Sequence, residues 1–380
     1  MCGLTGFWHP SAVFSTAQLE AMVQTMADRL RHRGPDDGGT WGDETVGLAL
    51  GHRRLAIVDL SPEGHQPMLS ANGRYVMVFN GEIYNFRDLR QQLLALGHGF
   101  RGHSDTEVML AAFCQWGVEV SLQRFVGMFA FALWDRELQR LHLGRDRLGE
   151  KPLFYGWCQQ TLVFGSELKA LKAHPQWQGR INRDVLTLLL RHNYIPAPYC
   201  IYDGCFKLPP GTLLTFDQAH HHPAPIPYWS ATEIAERGVA HPFTGGEGAA
   251  IEELDYLLRE AIRQQMVADV PLGAFLSGGI DSSTVVALMQ AQSDRPVKTF
   301  SIGFHEQDYN EAPYAQAIAQ HLGTDHTELY ITPPDAIAVI PKLPSLYDEP
   351  FADSSQIPTF LVAQLARQQV TVSLSGDGGV

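Results

Sequence analysis

The stretch Leu272-Gly273-Ala274-Phe275-Leu276-Ser277-Gly278-Gly279-Ile280-Asp281-Ser282-Ser283 sets an apolar, strand-like run against a turn with two adjacent glycines, and then enters a helical register. Paired glycines let the backbone approach an anion closely and donate N–H groups to it. The helix that follows aims its positive end at the same point. Ser277, Ser282 and Ser283 can add hydroxyl donors, and Asp281 can hold the Mg2+ that accompanies a polyphosphate. A polar turn with a serine helix cap is the plain alternative. No G-x-x-x-x-G-K-[ST] stretch occurs, so γ-phosphoryl transfer of the P-loop kind is not supported.

Working outward, the residues around this turn alternate between strand and helix. Strands are expected over Leu272–Leu276, Val297–Phe304, Thr327–Ile331 and Val370–Leu374. Helices are expected over Ser282–Gln292, Ala312–Leu322 and Ile357–Arg367. That alternation implies a parallel, doubly wound sheet whose ligands bind at the carboxyl ends of the strands. Upstream, Leu254, Leu257, Leu258, Ala261, Ile262 and Met266 mark one face of a further helix. Between about Pro209 and Gly248 the composition turns to Pro, Gly, His and Thr, which marks a boundary. His220-His221-His222 within it reads as solvated linker, with adventitious metal binding as the alternative.

Before that boundary the pattern differs. Ser15-x-x-Gln18 has the form of a capping box, followed by Leu19, Met22, Val23, Met26 and Leu30 at helical spacing. Helices are also expected over Arg87–Leu96 and from Asp105 to Gly117. Strands are expected over Tyr75–Phe79, Met128–Trp134, Arg140–Leu143 and Thr161–Phe164. This is an α+β layering of packed sheets with helices outside. Gly97-x-Gly99-x-x-Gly102 has the form of a dinucleotide fingerprint but follows a helix, so it reads as a loop.

The chain of 380 residues is long enough for two cores. Its 45% hydrophobic and 18% charged residues suit a soluble protein, and no apolar run is long enough for a membrane span. The net charge of −13 argues against nucleic acid as a partner. Five scattered cysteines without a C-x-x-C pair make a disulfide framework or a cysteine zinc site improbable. The start, Met1-Cys2-Gly3-Leu4-Thr5-Gly6, has no signal-peptide features, and a cytoplasmic protein is expected.

Cys2 stands out among the cysteines. Removal of Met1 would leave a thiol beside a free α-amine, which titrates near neutrality and can act as its general base. A cysteine here could also be only a small buried hydrophobe. Several motifs follow in order: Arg31-His32-Arg33-Gly34-Pro35-Asp36, Gly51-His52-Arg53-Arg54-Leu55-Ala56-Ile57-Val58-Asp59, Asn80-Gly81-Glu82-Ile83-Tyr84-Asn85, Ser104-Asp105-Thr106-Glu107, Phe129–Asp135, Gly144-Arg145-Asp146 and Gly165–Ala170. With Met-Cys-Gly at the start and S-G-G-x-D-S-S later, the set closely resembles the glutamine-hydrolysing asparagine synthetase family over nearly the whole chain.

The resemblance implies an N-terminal nucleophile sandwich over 1–215, a linker over 216–248, and an ATP-pyrophosphatase domain over 249–380. It also implies roles. Cys2 would attack the side-chain amide of glutamine, with Asn80 and the Gly81 N–H as oxyanion donors. Arg54 would hold the α-carboxylate, and Asp105 with Glu82 the α-ammonium. Taken alone, Asn80-Gly81 could be a hairpin turn and Arg54 a surface ion pair. In the second domain, Leu276, Ser277, Gly278, Gly279, Asp281, Ser282, Ser283, Phe304, Ser375 and Gly376 would bind ATP, and Asp281 and Asp377 its Mg2+. Asp348 and Glu349 could be site residues or merely helix-flanking charges. Glutamine, aspartate and ATP would be the small-molecule partners, with a homodimer as one assembly open to the chain.

Family members continue S-G-D-G-G with an Asp-Glu pair and a helical portion carrying a lysine used at the acyl-adenylate step. Here Val380 follows Ser375-Gly376-Asp377-Gly378-Gly379, so a truncated or frameshifted member is expected. Another carboxylate acceptor, or a glutaminase-only chain, is the alternative reading.

Overall fold

The computed structural model describes residues 1–11, 14–217, 222–305 and 310–376. The chain forms two compact units. The first is Met1–His241 with Asp348–Phe351, and the second is Pro242–Tyr347 with Ala352–Val380.

Among the described residues, the strands of the first unit are β1 (Gly3–Trp8), β2 (Asp37–Asp43), β3 (Leu48–Arg54), β4 (Met68–Leu69), β5 (Tyr75–Ile83), β6 (Gly127–Asp135), β7 (Arg140–Arg145), β8 (Phe154–Cys158), β9 (Thr161–Gly165), β10 (Cys205–Lys207), β11 (Thr212–Phe216) and β12 (Ile226–Pro227). They make two six-stranded sheets, in the orders β10-β8-β9-β1-β3-β2 and β12-β11-β7-β6-β5-β4. All their pairings are antiparallel.

Period-2 alternation decides which residues meet between the sheets. On β6, Ala130, Ala132 and Trp134 face inward and join Leu4, Trp8, Leu48, Leu50, Val76, Val78 and Phe164 in one core. Trp8 and Trp134 meet edge to face at 5.6 Å, an arrangement that contributes about 0.5–1.5 kcal/mol beyond area burial. The intervening Phe131 turns the other way and meets Phe113 of the helix Asp105–Trp116 at 5.5 Å. On the opposite side, Phe7, Ala49 and Val163 pack under Leu19, Val23 and Met26 of the helix Thr16–Asp28. That helix starts with the expected capping box of Ser15 and Gln18. The result is a helix–sheet–sheet–helix sandwich.

The second unit holds β13 (Leu272–Phe275), β14 (Lys298–Phe304), β15 (Asp325–Ile331) and β16 (Val372–Leu374). They form a parallel sheet in the order β15-β14-β13-β16. Helices run over Ile280–Ala291, Ala312–Leu322 and Gln356–Ala366, close to their expected bounds. The chain moves from β13 through β14 to β15 on one side and returns to β16 on the other. The strand order therefore reverses beside β13, where open α/β sheets place their ligands.

Two regions differ from the sequence reading. The stretch 216–248 carries β12 and a helix over Ala231–Ala240. Its start is fixed by Ser230, whose hydroxyl accepts the Glu233 N–H, a cap signal masked by the surrounding Pro and Gly. Of the three-histidine run, His220 and His221 lie outside the described residues. Asp348 and Glu349, left open in the sequence, are both engaged inside the first unit. Asp348 accepts the Lys169 N–H at 2.9 Å and lies 3.4 Å from its Nζ. Glu349 accepts the Ile201 N–H at 2.7 Å and pairs with Lys207 at 2.5 Å.

Candidate active site

Cys2 lies one residue before β1. Its Sγ accepts the Leu55 N–H at 3.4 Å, just beyond β3, while its carbonyl accepts Arg33 Nε at 2.8 Å. Arg33 is held in turn by Glu167 at 2.7 Å. Burial opposes the charge on Glu167, but hydrogen bonds from His32, Lys169 and Arg33, with the Arg33 charge, hold its carboxyl down at about 2. The backbone at Cys2 is thus anchored by charge on one side, and its thiol faces a pocket on the other.

That pocket is tight, with a cavity volume of ≈ 40 Å³. Cys2, Arg54, Asn80, Gly81, Glu82 and Asp105 all line it. These are the six expected from the sequence, and the fold brings them together from the first residues of the chain, the end of β3, the end of β5 and the start of the helix Asp105–Trp116. Met1, Gln66, Thr106 and Lys151 also line it and were not anticipated. The glycine and proline of Gly149-Glu150-Lys151-Pro152 were the available sign for Lys151; nothing in the local pattern marks Gln66.

The second half of β5 is what makes this a site. β6 borders β5 along its whole length, but β4 covers only Val76 and Met77. Beyond them the edge of β5 is open. Phe79 gives its N–H to Gln66 Oε1 at 2.7 Å, and Ile83 gives its N–H to Asp105 Oδ2 at 2.9 Å. Backbone groups alternate between the two edges of a strand, so Gly81, midway between them, turns its N–H to the same open edge. A side chain at Gly81 has no room: its Cβ would lie 2.2 Å from the Met128 carbonyl oxygen. The neighbouring Asn80 is fully buried, and neither atom of its amide has a hydrogen-bond partner among the described residues.

Charge in the pocket follows burial. Desolvation pushes Asp105 up to about 6, against three backbone N–H donors and Arg54. Desolvation and the nearby Asp105 push Glu82 up to about 7, opposed by Lys151. Burial lowers the Lys151 ammonium and raises the Cys2 thiol. The Met1 α-amine is pushed down to about 6, mainly by burial. Arg54 is 7% exposed, and the carbonyls of Asp59 and Ser61 hold its guanidinium in place.

In the second unit the turn after β13 has the expected form. Gly278 sits at φ +86°, and a Cβ there would meet Tyr314 Cβ at 2.8 Å and the Ala315 nitrogen at 2.9 Å. Ser277 and Ser282 hydroxyls are 2.9 Å apart, and Ser283 Oγ donates to the Gly279 carbonyl at 2.6 Å. These bonds fold the turn onto the start of the helix Ile280–Ala291, and Asp281 is exposed there. Leu276 is buried beneath the turn, and Phe304 ends the neighbouring β14. Gly376, after β16, packs so closely on the same helix start that a Cβ would lie 2.7 Å from the Ser282 nitrogen. Ser375 precedes it; Asp377 lies outside the described residues.

Residues 1–229 match the glutamine amidotransferase domain family, and residues 253–379 match the asparagine synthase family. An asparagine synthetase (glutamine-hydrolysing) 1 of Bacillus subtilis is 35% identical, over 100% of this chain and 58% of its own length. A protein of Methanocaldococcus jannaschii named as asparagine synthetase (glutamine-hydrolysing) 2 is 37% identical, over 100% of this chain and 74% of its own. A solved glutamine PRPP amidotransferase from B. subtilis aligns at a TM-score of 0.43 and 17% identity, over 88% of this chain and 70% of that one. That likeness is too distant to add anything.

The cysteine-headed sandwich, with its pocket at an open strand edge, makes the first unit a glutamine amidotransferase domain. The chain as a whole belongs to the glutamine-hydrolysing asparagine synthetase family. It spans about three fifths of the length of the B. subtilis relative. No helix among the described residues is long and apolar enough to cross a membrane.

Proposed function

We propose that this chain releases ammonia from glutamine at Cys2 and uses it in ATP-dependent amidation of the aspartate side chain, giving asparagine, AMP and pyrophosphate. The observation that carries this reading is the buried Asn80 amide. It lacks a partner among the described residues, lines the pocket with Cys2, and lies next to a strand-edge N–H at Gly81. An unpaired buried amide costs roughly 1–3 kcal/mol, and a developing oxyanion supplies the missing acceptor.

In this reading Met1 is removed, and the α-amine then belongs to Cys2. The amine takes the thiol proton as sulfur attacks the glutamine amide carbon. Asn80 Nδ2 and Gly81 N–H receive the charge on oxygen. The proton passes to the leaving ammonia, and water then hydrolyses the thioester to glutamate. Arg54 pairs with the α-carboxylate, and Asp105 and Glu82 with the α-ammonium.

The glycine turn of the second unit would cradle the phosphates of ATP. A tight turn with Gly278 at positive φ, packed against Tyr314 and Ala315 and set at a helix start, fits that role. Asp281 with Asp377 would hold Mg2+. Among the described residues no cluster of three or more His, Cys, Asp or Glu could hold a metal by itself. Mg2+ is ordinarily carried largely by phosphate oxygens and water, with one or two carboxylates. The five free cysteines support a reducing, cytoplasmic setting.

The test is direct. The purified chain is given glutamine, then glutamine with ATP, Mg2+ and aspartate, and the products are identified by mass spectrometry. Glutamate formation that disappears in Cys2→Ala is expected. Undiminished hydrolysis in that variant would remove Cys2 from the chemistry, and amidation of a different acid would replace aspartate as acceptor.

A further inference from the structure

We propose that His52 and Gln66 act together as a clamp on Phe79, replacing the missing neighbour strand at the open edge of β5 and thereby positioning Asn80 and Gly81 for glutamine hydrolysis. This rests on the reading of those two residues as oxyanion donors.

β4 ends its pairing at Met77, so the N–H and C=O of Phe79 would be left without partners inside the protein. Buried backbone groups are almost always paired. Here two side chains from different places take them. Gln66 Oε1 accepts the N–H at 2.7 Å, and His52 Nε2 donates to the carbonyl at 2.8 Å. Gln66 is 4% exposed and His52 1% exposed. The pair therefore supplies one donor and one acceptor where a strand would have supplied them, and it stops short of Gly81.

A real strand at that edge would have covered the Gly81 N–H as well. The two side chains support the edge at Phe79 only, Asp105 supports it at Ile83, and the donor between them stays available. His52 comes from β3 of the other sheet, so the clamp also ties the two sheets together one residue before Asn80. Because the Phe79 carbonyl can only accept, Nε2 carries the proton and Nδ1 is bare. Nδ1 is buried with no partner among the described residues. Burial holds the ring down at about 4, so at neutral pH it is an uncharged donor and adds no cation beside the site. His52 touches neither sulfur nor substrate. It is a positioning residue.

The experiment compares His52→Leu, which removes the donor, with His52→Gln, whose amide can restore it, in the full chain, measuring glutaminase kcat and KM. A displaced oxyanion donor should act on the transition state more than on binding. His52→Leu is expected to lower kcat roughly 10–100-fold. KM should stay near the wild-type value, and iodoacetamide should alkylate Cys2 at the wild-type rate. His52→Gln should recover most of kcat. If His52→Leu does not fold, Gln66→Met against Gln66→Glu reads the other side of the clamp with the same expected pattern. Wild-type kcat in His52→Leu, or no recovery in His52→Gln, overturns the clamp while the site reading stands. A parallel loss of kcat, KM and Cys2 alkylation also overturns it in favour of a merely structural role. Absence of glutaminase activity in the wild-type chain overturns both.

Discussion

Ile83 donates its backbone N–H to Asp105 Oδ2 at 2.9 Å, joining the last residue of β5 to the first residue of a helix. One carboxylate thus closes the strand edge and faces the pocket. Asp105→Asn keeps an oxygen for Ile83 but loses the charge that would meet the substrate ammonium. A charge-assisted hydrogen bond contributes about 1.5–3 kcal/mol, so KM for glutamine is expected to rise roughly 10–100-fold in a normally folded protein. Steady-state glutaminase kinetics check it. Because Asp105 is pushed up to about 6, wild-type KM should also rise as pH falls through 6, and this arm should be absent in Asp105→Asn.

Glu82 makes a stability prediction of definite sign. Its carboxyl is pushed up to about 7 from an ordinary 4.5 by burial and by Asp105. Between these values the folded protein holds a proton that the unfolded chain has released, so stability falls as pH rises across that window. Glu82→Gln carries no such penalty. In ligand-free protein it should be more stable than wild type above pH 7, with the difference vanishing below about 4.5. Urea unfolding at several pH values measures this, and a constant difference across pH would refute it.

Gly278→Ala separates the two units. Its positive φ costs an L-residue roughly 1–2 kcal/mol, and the new methyl would press on Tyr314 and Ala315. ATP use, followed by pyrophosphate exchange or nucleotide binding, is expected to drop at least tenfold. Glutamine hydrolysis should be unaffected. Equal loss of both in a folded variant would contradict the assignment of the turn to ATP.

The start of the chain gives a fourth prediction. Met1 is half exposed and its sulfur lies 3.1 Å from Lys151 Nζ. Active protein should begin at Cys2 by intact mass, because with Met1 attached the Cys2 nitrogen is an amide and cannot serve as base. A form that retains Met1 should hydrolyse glutamine at least 100-fold more slowly.

Much of the fold could be read from periodicity, because burial imposes it. Phe129–Trp134 alternates since its two faces meet different layers, and the helix–strand alternation after Leu272 follows from a sheet covered on both sides. β2 was missed: Asp37-Gly38-Gly39-Thr40-Trp41-Gly42-Asp43 has glycine where a strand pattern would show apolar residues, and every position in it is only half-buried. The pocket was legible only as an ordered set of motifs. Gln66 carries no local pattern and Lys151 only its flanking Gly149 and Pro152, because their positions depend on where β4 begins and on how the loop after β7 closes around Asp146. The roles of Asp348 and Glu349 were equally invisible, since their partners Lys169 and Lys207 lie far away in sequence.

Those four residues, Asp348–Phe351, fold with the first unit although the chain on both sides of them folds with the second. No single cut in the chain can therefore separate the two units cleanly. A gene fusion that exchanged everything after His241 for an unrelated ligase would take Asp348 from Lys169, leaving it Glu167, and would take Glu349 from Lys207. The second unit is thus not a freely exchangeable cassette: a recombinant would have to bring an acidic pair able to meet both lysines, or change the lysines with it.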